Sequence, residues 1–495
     1  MNLKYKYVII GSGFAGRTVA SYLNNDEYLI IERGEYKSFG DIIKDYDEAK
    51  KSGIRDVEAE EIAYSSNKPW NQLPKLSKFS YSRYSMIGGG SSNWWGGKAS
   101  RISKSIFEMN DIIEWPLNLN DLIPWYEKAE RRLNVSGDPL NHLSPAPNAI
   151  AGASYWRTAF SPYFSENHIY NVAVKSTDDV RNNQGVCLGR GHCAVCKEDS
   201  KARPENIFAD MNIMYESYVL SINFLDEKAI SVDVYDGKQI ITIEFDYIIV
   251  AANGVESPRL LSRCELPKNV NRDYIGKYLQ DHAHLEIDCW IDKKIAFGNL
   301  SGLSHFQIPE LSRLFDTKFG LIETSALALT HEPPMDVLYS IADLNILEKH
   351  GTAAFTKQIS GCFRIHIELE IPPAIELSLD LESEEPKVID CNYKFLIPEF
   401  ELIENKMISI LQKCGVKVLG THPHYKHGYG GHHFVGTINW SKGELSLLDN
   451  DNKLIGTDNL YVAGASVIPR VGGIAPTLTL VALAERLGEH LSRNT

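Results

Sequence analysis

The sequence predicts an α/β fold organised around a Rossmann-like dinucleotide-binding unit, and three stretches carry that expectation. The first is the β-rich run Tyr5 to Ile10, feeding Gly11-Ser-Gly-Phe-Ala-Gly16 and then a helix through Val19 and Leu23. The second is Ile248-Ile-Val-Ala-Ala-Asn-Gly254, a buried strand closed by a turn. The third runs from Asn459 into the C-terminal helix and reads as strand, glycine loop and helix.

Each glycine of the first stretch has its own reason. Gly11 permits the tight turn, Gly13 lets a pyrophosphate approach the backbone, and Gly16 allows close helix–strand packing. A second buried strand, Tyr28 to Ile31, ends on Glu32, about twenty residues after the first glycine and placed to bind ribose hydroxyls. Phe14, Ala15 and Arg33 complete the residues expected against the nucleotide. The fingerprint does not by itself separate FAD from NAD. In the third stretch Leu460 to Ala463 is the strand, and Gly464 and Ala465 begin the loop. Pro476 suits the first helical position because its φ is fixed and its missing N–H is not needed there. From Thr477, Leu480, Ala484, Leu487 and Leu491 recur at helical spacing. Free N–H groups and the helix dipole make such an N-terminus a place for negative charge.

With 495 residues the chain is longer than one ordinary domain. A net charge of −13 disfavours nonspecific binding to nucleic acid or anionic membrane and permits cationic substrates. No apolar run is long enough to span a bilayer, and Lys4 and Lys6 interrupt any signal-peptide pattern. Eight scattered cysteines fit a reducing compartment, so the expected location is cytoplasmic.

Between these stretches, Gly34 to about Lys78 reads as a polar, solvated excursion. Tyr84 to Gly97 holds Gly88-Gly-Gly-Ser-Ser-Asn-Trp-Trp95, where glycines and serines let backbone approach a flat polar ring and the tryptophans supply apolar walls. Asp121 to Leu133 has helical spacing, with Asp121 as N-cap and Leu122, Tyr126, Ala129 and Leu133 on one face. Cys187, His192, Cys193 and Cys196 are compatible with a metal or redox site or with a structural loop. Ile213 to Val219, Ile230 to Val234, Ile241 to Phe245 and Tyr247 to Val250 read as strands, and Ser257-Pro258 opens a helix. From Ala283 to about Gly420 a mixed sheet is expected. Within it Ile365, Ile367, Leu369 and Ile371 share one face, and Arg364, His366, Glu368 and Glu370 the other. That polar face either lines a substrate cleft or is the wet side of the sheet. Glu401 to Leu411 is a surface helix. His422, His424, His427, His432 and His433 crowd together, but Pro423 and Gly428-Tyr-Gly-Gly431 keep the segment irregular, and no metal is expected there.

The fingerprint, Gly88-Gly-Gly-Ser-Ser-Asn93, the stretch Ile248 to Leu261 and the C-terminal stretch together resemble the glucose–methanol–choline (GMC) family of FAD-dependent oxidoreductases. Ile275-Gly-Lys-Tyr-Leu-Gln-Asp-His282 looks like a fifth, weaker signature. The glycine-serine segment is most similar to the pyranose oxidase and sugar dehydrogenase branch, where a histidine can bond covalently to the flavin. Here that position is Asn93, which implies noncovalent FAD. The resemblance implies an FAD-binding domain of discontinuous segments, 1–100, 207–285 and 425–495. It implies a substrate-binding or insertion domain, 101–206 and 286–424, with a mostly antiparallel sheet and helices on one face. It places Gly89, Ser91, Ser92, Asn93, Trp94, Val219, Ala252, Gly464, Ala465, Ala475, Pro476 and Thr477 at the cofactor.

His433-Phe-Val-Gly-Thr437 resembles the family's H-x-x-G-T signature, which makes His433 the catalytic base and His432 its neighbouring alternative. The implied reaction oxidises a CH–OH group of a sugar, aminosugar or polyol. The histidine takes the hydroxyl proton, hydride passes to flavin N5, and the helix N-terminus at Ala475-Pro476-Thr477 stabilises the charge left near N1. The electron acceptor is oxygen or a redox partner. The sequence departs from the family at Ala475, where an asparagine or histidine usually serves as the second catalytic residue. Two alternatives stay open: a dehydrogenase with an iron–sulfur cluster at Cys187, Cys193 and Cys196, and a lyase in which FAD is structural.

Overall fold

The computed structural model describes residues 3–54, 56–66, 85, 87–109, 112–137, 148–149, 162, 168–169, 171–175, 185–187, 194–291, 306–307, 323–328, 362–374, 378–381, 387–389, 396–426 and 433–494. The first sheet starts with β1 (Leu3–Ile10), whose last four residues are buried. The chain turns at Gly11 into helix α1 (Phe14–Ala20) and returns as β2 (Tyr28–Ile31), parallel to β1. On the other side β1 pairs in parallel with β3 (Ile240–Val250), and β3 pairs in parallel with Leu460–Val462. Every one of Val8, Ile9, Ile248, Ile249, Val250, Leu460 and Val462 is fully buried, which is why these runs are continuously apolar rather than alternating. An antiparallel extension, Tyr218–Leu225 and Lys228–Tyr235, completes one edge beside β3. Helices α2 (Leu119–Arg132), α3 (Asn253–Arg263) and α4 (Thr477–Asn494) cover this sheet, with α4 packed on α1 and α2. Sheet pairing thus brings both ends of the chain together.

The second sheet has β4 (His282–Trp290) between β5 (Cys362–Glu370) and β6 (Lys417–His422), and extends through Glu323–Ala328 and Phe306–Gln307 to His168–Ile169. All its described pairings are antiparallel, as the family resemblance implies, which corrects the mixed sheet read from the residue pattern alone. The alternation in β5 holds: Ile365, Ile367 and Leu369 are buried on one face. The opposite face is not wet, because Glu368 and Glu370 are buried as well.

Five further differences are local. The supposed polar excursion contains helices Phe39–Lys51 and Asp56–Ala63. Ser38 and Asp41 form a capping box, and Ile42, Tyr46 and Ala49 bury a helical stripe beside Trp94. Helix α2 begins earlier than expected because Asn118, not Asp121, is its N-cap; Asp121 closes the box from the third position. Helix α3 also begins early, at Asn253, whose side chain accepts from the backbone of Val255 and Glu256. Ile241 to Val250 forms one strand, not two, whereas Ile213–Met214 is separated from Tyr218–Leu225 by Glu216 at φ 53°. Residues 67–84 lie outside the described residues, as do His192, Cys193, His427 and His432.

Candidate active site

The turn between β1 and α1 is built to a backbone tolerance. A Cβ on Gly16 would stand 2.0 Å from the Gly11 carbonyl oxygen, and one on Gly11, at φ +104°, would stand 2.6 Å from that of Ala251, beside Ala252. Glu32 at the end of β2 accepts from Ser12 N at 2.9 Å, Ser12 Oγ at 2.6 Å and Gly34 N at 2.7 Å. Ser12 Oγ in turn accepts from Gly89 N at 2.9 Å, and Ser92 Oγ accepts from Phe14 N at the same distance. These bonds seat the 88–93 loop on the glycine turn across 77 and 78 residues of chain. Gly464, at φ +93°, lies near Ala15, whose Cβ is 3.4 Å from where a Gly464 Cβ would be.

Asn93 is fully buried; its Nδ2 donates to the Gly88 carbonyl at 2.6 Å, while its Oδ1 meets no hydrogen-bond partner among the described residues. Trp94 stacks on Tyr64 and donates to Glu60 in the cluster beneath the helix Phe39–Lys51. Trp95 packs edge-on against Phe14 at 5.3 Å. Lys201 was not foreseen: fully buried, its ammonium donates to the carbonyls of Asn93, Trp95 and Ala194, each at 2.8 Å. Ser91 is exposed and Arg33 lies over the Tyr218 ring, next to Val219. Ala475 and Pro476 are buried directly before α4.

The His433 loop is fixed from four directions. Val435 exchanges both backbone hydrogen bonds with Gln280, and Asp281 accepts from His433 N at 2.9 Å. Thr437 Oγ1 donates to the Gly254 carbonyl at 2.6 Å, and Ile438 N to that of Ser466 at 2.9 Å. The result sets His433 Nδ1 2.8 Å from Nδ1 of His282, the first residue of β4. His282 Nε2 lies 2.6 Å from the Gly472 carbonyl oxygen. Arg470 and Glu370, both buried, hold that carbonyl in place through a two-pronged ion pair at 2.8 and 2.9 Å, with Gly472 N donating to Glu370 at 3.0 Å.

Glu368 lies beneath the two imidazoles. Its Oε2 is 3.4 Å from His282 Nδ1 and 3.8 Å from His433 Nδ1, and its Oε1 is 2.9 Å from the Lys98 ammonium. Burial opposes ionisation of Glu368, but Lys98 and the imidazoles of His282, His366 and His433 outweigh it and hold the carboxyl well below its usual range. Burial pushes His433 down to about 3, against the pull of Glu368. Burial also disfavours a charged His282, yet Glu368 and Asp281 raise it above the ordinary 6.5. His282, Glu368 and His433 bring ligand-type atoms within 4.8 Å of one another, with the Lys98 ammonium against the other oxygen of the same carboxylate. Farther along the same face His366 and His424 approach Glu286, and His422 bonds Asp288 at 2.7 Å. Cys196 is a free thiol 3.1 Å from Ser200 Oγ.

A family model described as GMC oxidoreductase matches residues 421–484, the segment that carries His433, Thr437, Gly464 and the start of α4. That C-terminal segment matches the GMC oxidoreductase family. The chain is 22% identical over 463 residues to the 6'''-hydroxyparomomycin C oxidase of Streptomyces lividus, covering 82% of this chain and 78% of that protein. It is 19% identical over 549 residues to the fructose dehydrogenase large subunit of Gluconobacter japonicus, covering 98% and 97%. Among solved structures, a formate oxidase from Aspergillus oryzae RIB40 superposes with a TM-score of 0.65 at 14% identity, over 99% of this chain and 98% of that one. Pyridoxine 4-oxidase from Mesorbium loti gives 0.62 at 16% identity, over 99% and 100%. These GMC likenesses at low identity carry the α/β fold across the whole chain. No helix among the described residues is long and apolar enough to cross a membrane.

Proposed function

We propose that this enzyme is an FAD-dependent oxidoreductase that oxidises a CH–OH group of a sugar, aminosugar or polyol, with His433 as the base. The observation that carries the reading is the placement of His433. Its imidazole is 18% exposed at the end of a buried histidine pair, on a loop hydrogen-bonded to both α3 and the segment leading to α4. The names of the paromomycin-type oxidase and the fructose dehydrogenase support a sugar-like substrate.

The residues present fit FAD. Gly11, Gly13 and Gly16 leave the backbone of the β1–α1 turn bare, and Glu32 retains acceptor capacity beyond its Ser12 and Gly34 bonds for ribose hydroxyls. Gly89, Ser92, Ala252, Val219, Gly464 and Ala465 would complete the cradle, and the N-terminal end of α4 at Ala475 to Thr477 would face the charged end of the ring. Asn93 offers an amide in place of a nucleophilic imidazole, so FAD is held without a covalent bond. FAD, when bound, accepts the hydride from the carbinol carbon. The protein's part is to orient the alcohol, exclude water and receive the hydroxyl proton at His433, whose imidazole burial keeps neutral. The two sheets divide the labour, the first holding the cofactor and the second lining the substrate side.

The test is anaerobic mixing of the FAD-loaded enzyme with D-glucose, D-fructose, D-glucosamine and glycerol, following the long-wavelength flavin band. At least one should bleach it, and His433→Ala should retain FAD but lose bleaching. A wild-type flavin that no alcohol reduces overturns the reading. Yellow colour in the supernatant after acid precipitation is expected; colour left in the pellet overturns the noncovalent assignment.

A further inference from the structure

The site lacks a polar side chain at Ala475, so what assists His433 has to come from elsewhere. The carbonyl of Gly472 can only accept, so the 2.6 Å contact requires a proton on His282 Nε2. A neutral His282 then bears its lone pair on Nδ1. The 2.8 Å contact between the two Nδ1 atoms requires His433 to donate, which leaves His433 Nε2 as its lone-pair nitrogen. The neutral form of His282 therefore dictates the one tautomer in which His433 can accept a proton from outside the pair. A carboxylate oxygen, Glu368 Oε2, waits 3.4 Å from the atom that would next be charged.

We propose that His282 and Glu368, with Lys98 behind them, are the positioning residues of the reaction: a buried His433–His282–Glu368 chain that does the work of the missing side chain at position 475. The inference rests on His433 being the base. The alcohol O–H bond breaks as an N–H bond forms on His433 Nε2. The Nδ1–H bond of His433 breaks as one forms on His282 Nδ1. One alkoxide and one imidazolium result, and the imidazolium is at His282, beside the ionised Glu368. The proton returns to water through His433 Nε2 after the product leaves, since His433 is the member with exposed surface whereas His282 has none.

Lone-pair bookkeeping also gives the pH sign. Protonating His282 places a hydrogen on its Nδ1, so the 2.8 Å contact then needs His433 to accept there and to carry its proton on Nε2. That tautomer cannot act as base. Glu368 and Asp281 draw a proton toward His282, while Lys98 and His366 bear on Glu368 and His433 from the other side. Activity is accordingly lost as pH falls through the raised His282 value, and removing the Glu368 charge moves that acid limb to lower pH.

The experiment uses the full FAD-loaded enzyme and whichever of the four alcohols bleaches wild type fastest. His282→Leu should slow anaerobic bleaching about 10²- to 10⁴-fold. His282→Asn, whose Oδ1 still accepts from His433 Nδ1 but cannot take its proton, should recover only part of that loss, by about one hydrogen bond's worth of positioning, and stay well below wild type. Glu368→Gln should shift the acid limb downward with FAD content unchanged. Leu and Asn variants that fall alike, or an unmoved acid limb, overturn the inference. If His433→Ala still bleaches, the base assignment itself has failed instead. A measurement independent of any substrate or variant folding is histidine 15N NMR of wild-type holoenzyme at alkaline pH. A proton on His433 Nδ1 supports the chain, and one on Nε2 overturns it.

Discussion

Thr437 Oγ1 donates a 2.6 Å hydrogen bond to the carbonyl of Gly254 inside α3. Four residues on stands Pro258, which has no N–H to offer that carbonyl. The hydroxyl of the His433 loop therefore fills the bond the helix cannot make. Thr437 is fully buried, so Thr437→Val leaves an acceptor unpaired and should cost about 1–3 kcal/mol, whereas Thr437→Ser should be nearly neutral. Pro258→Ala in the Val background restores the helical donor and should recover part of the loss. Urea midpoints of these proteins and of the Pro258→Ala single variant check this, and strict additivity of the Val and Ala changes would sink it.

Gly436 and Gly443 make a matched pair for the same loop. Both have positive φ, +84° and +81°, but a Cβ on Gly436 would meet the Tyr278 carbonyl at 2.7 Å while one on Gly443 meets nothing within 4 Å. Gly443→Ala should cost about 1 kcal/mol from backbone strain alone. Gly436→Ala should cost more and also slow flavin bleaching, since the Val435–Gln280 pairing that seats His433 must shift. Equal effects on melting temperature and rate would show that the clash is relieved without moving the histidine.

Much of this architecture was legible in the chain because it rests on local chemistry. Continuous apolar runs gave β2 to the residue, and the helical stripe of Leu122, Tyr126, Ala129 and Leu133 is fully buried as its spacing requires. Two kinds of feature escaped. A cap is a contest between neighbours, and Asn118 outcompeted Asp121 only once both ends of the box were satisfied. Tertiary polar contacts leave no spacing signal: His282 and His433 are 151 residues apart, and Lys98 and Glu368 are 270 apart. Ser38 followed three residues later by Asp41, with Ile42, Tyr46 and Ala49 beyond, was a signal present in the sequence that charge density obscured.

Arg470 and Glu370 form a desolvated pair that serves the site at one remove, because the same carboxylate accepts from Gly472 N. Removing one partner strands a buried charge, so Arg470→Met or Glu370→Gln should each lose about 3–5 kcal/mol. The double replacement Arg470→Met with Glu370→Met should regain much of that stability by packing. It should not regain activity, since nothing then fixes the Gly472 carbonyl against His282. Denaturation midpoints read alongside bleaching rates separate the two effects; a double variant as active as wild type would mean the loop holds its shape unaided.

His433 provides a stability test of the buried network that needs no substrate. Burial holds its folded-state pKa at about 3, with Glu368 pulling it up and His282, Lys98 and His366 pushing it down, whereas the unfolded chain titrates near 6.5. Between those values the unfolded state binds a proton that the folded state does not, so acidification favours unfolding. The slope is at most about 1.4 kcal/mol per pH unit for one such group, beginning as pH falls below 6.5. His433→Asn has no proton to take up and escapes this penalty. Its melting temperature should therefore gain on wild type as pH falls from 7.5 toward 4.5, where Glu368 is still ionised in the folded state. A variant that tracks wild type across that window would mean that His433 becomes charged in the folded protein, with Glu368 taking it as a salt-bridge partner.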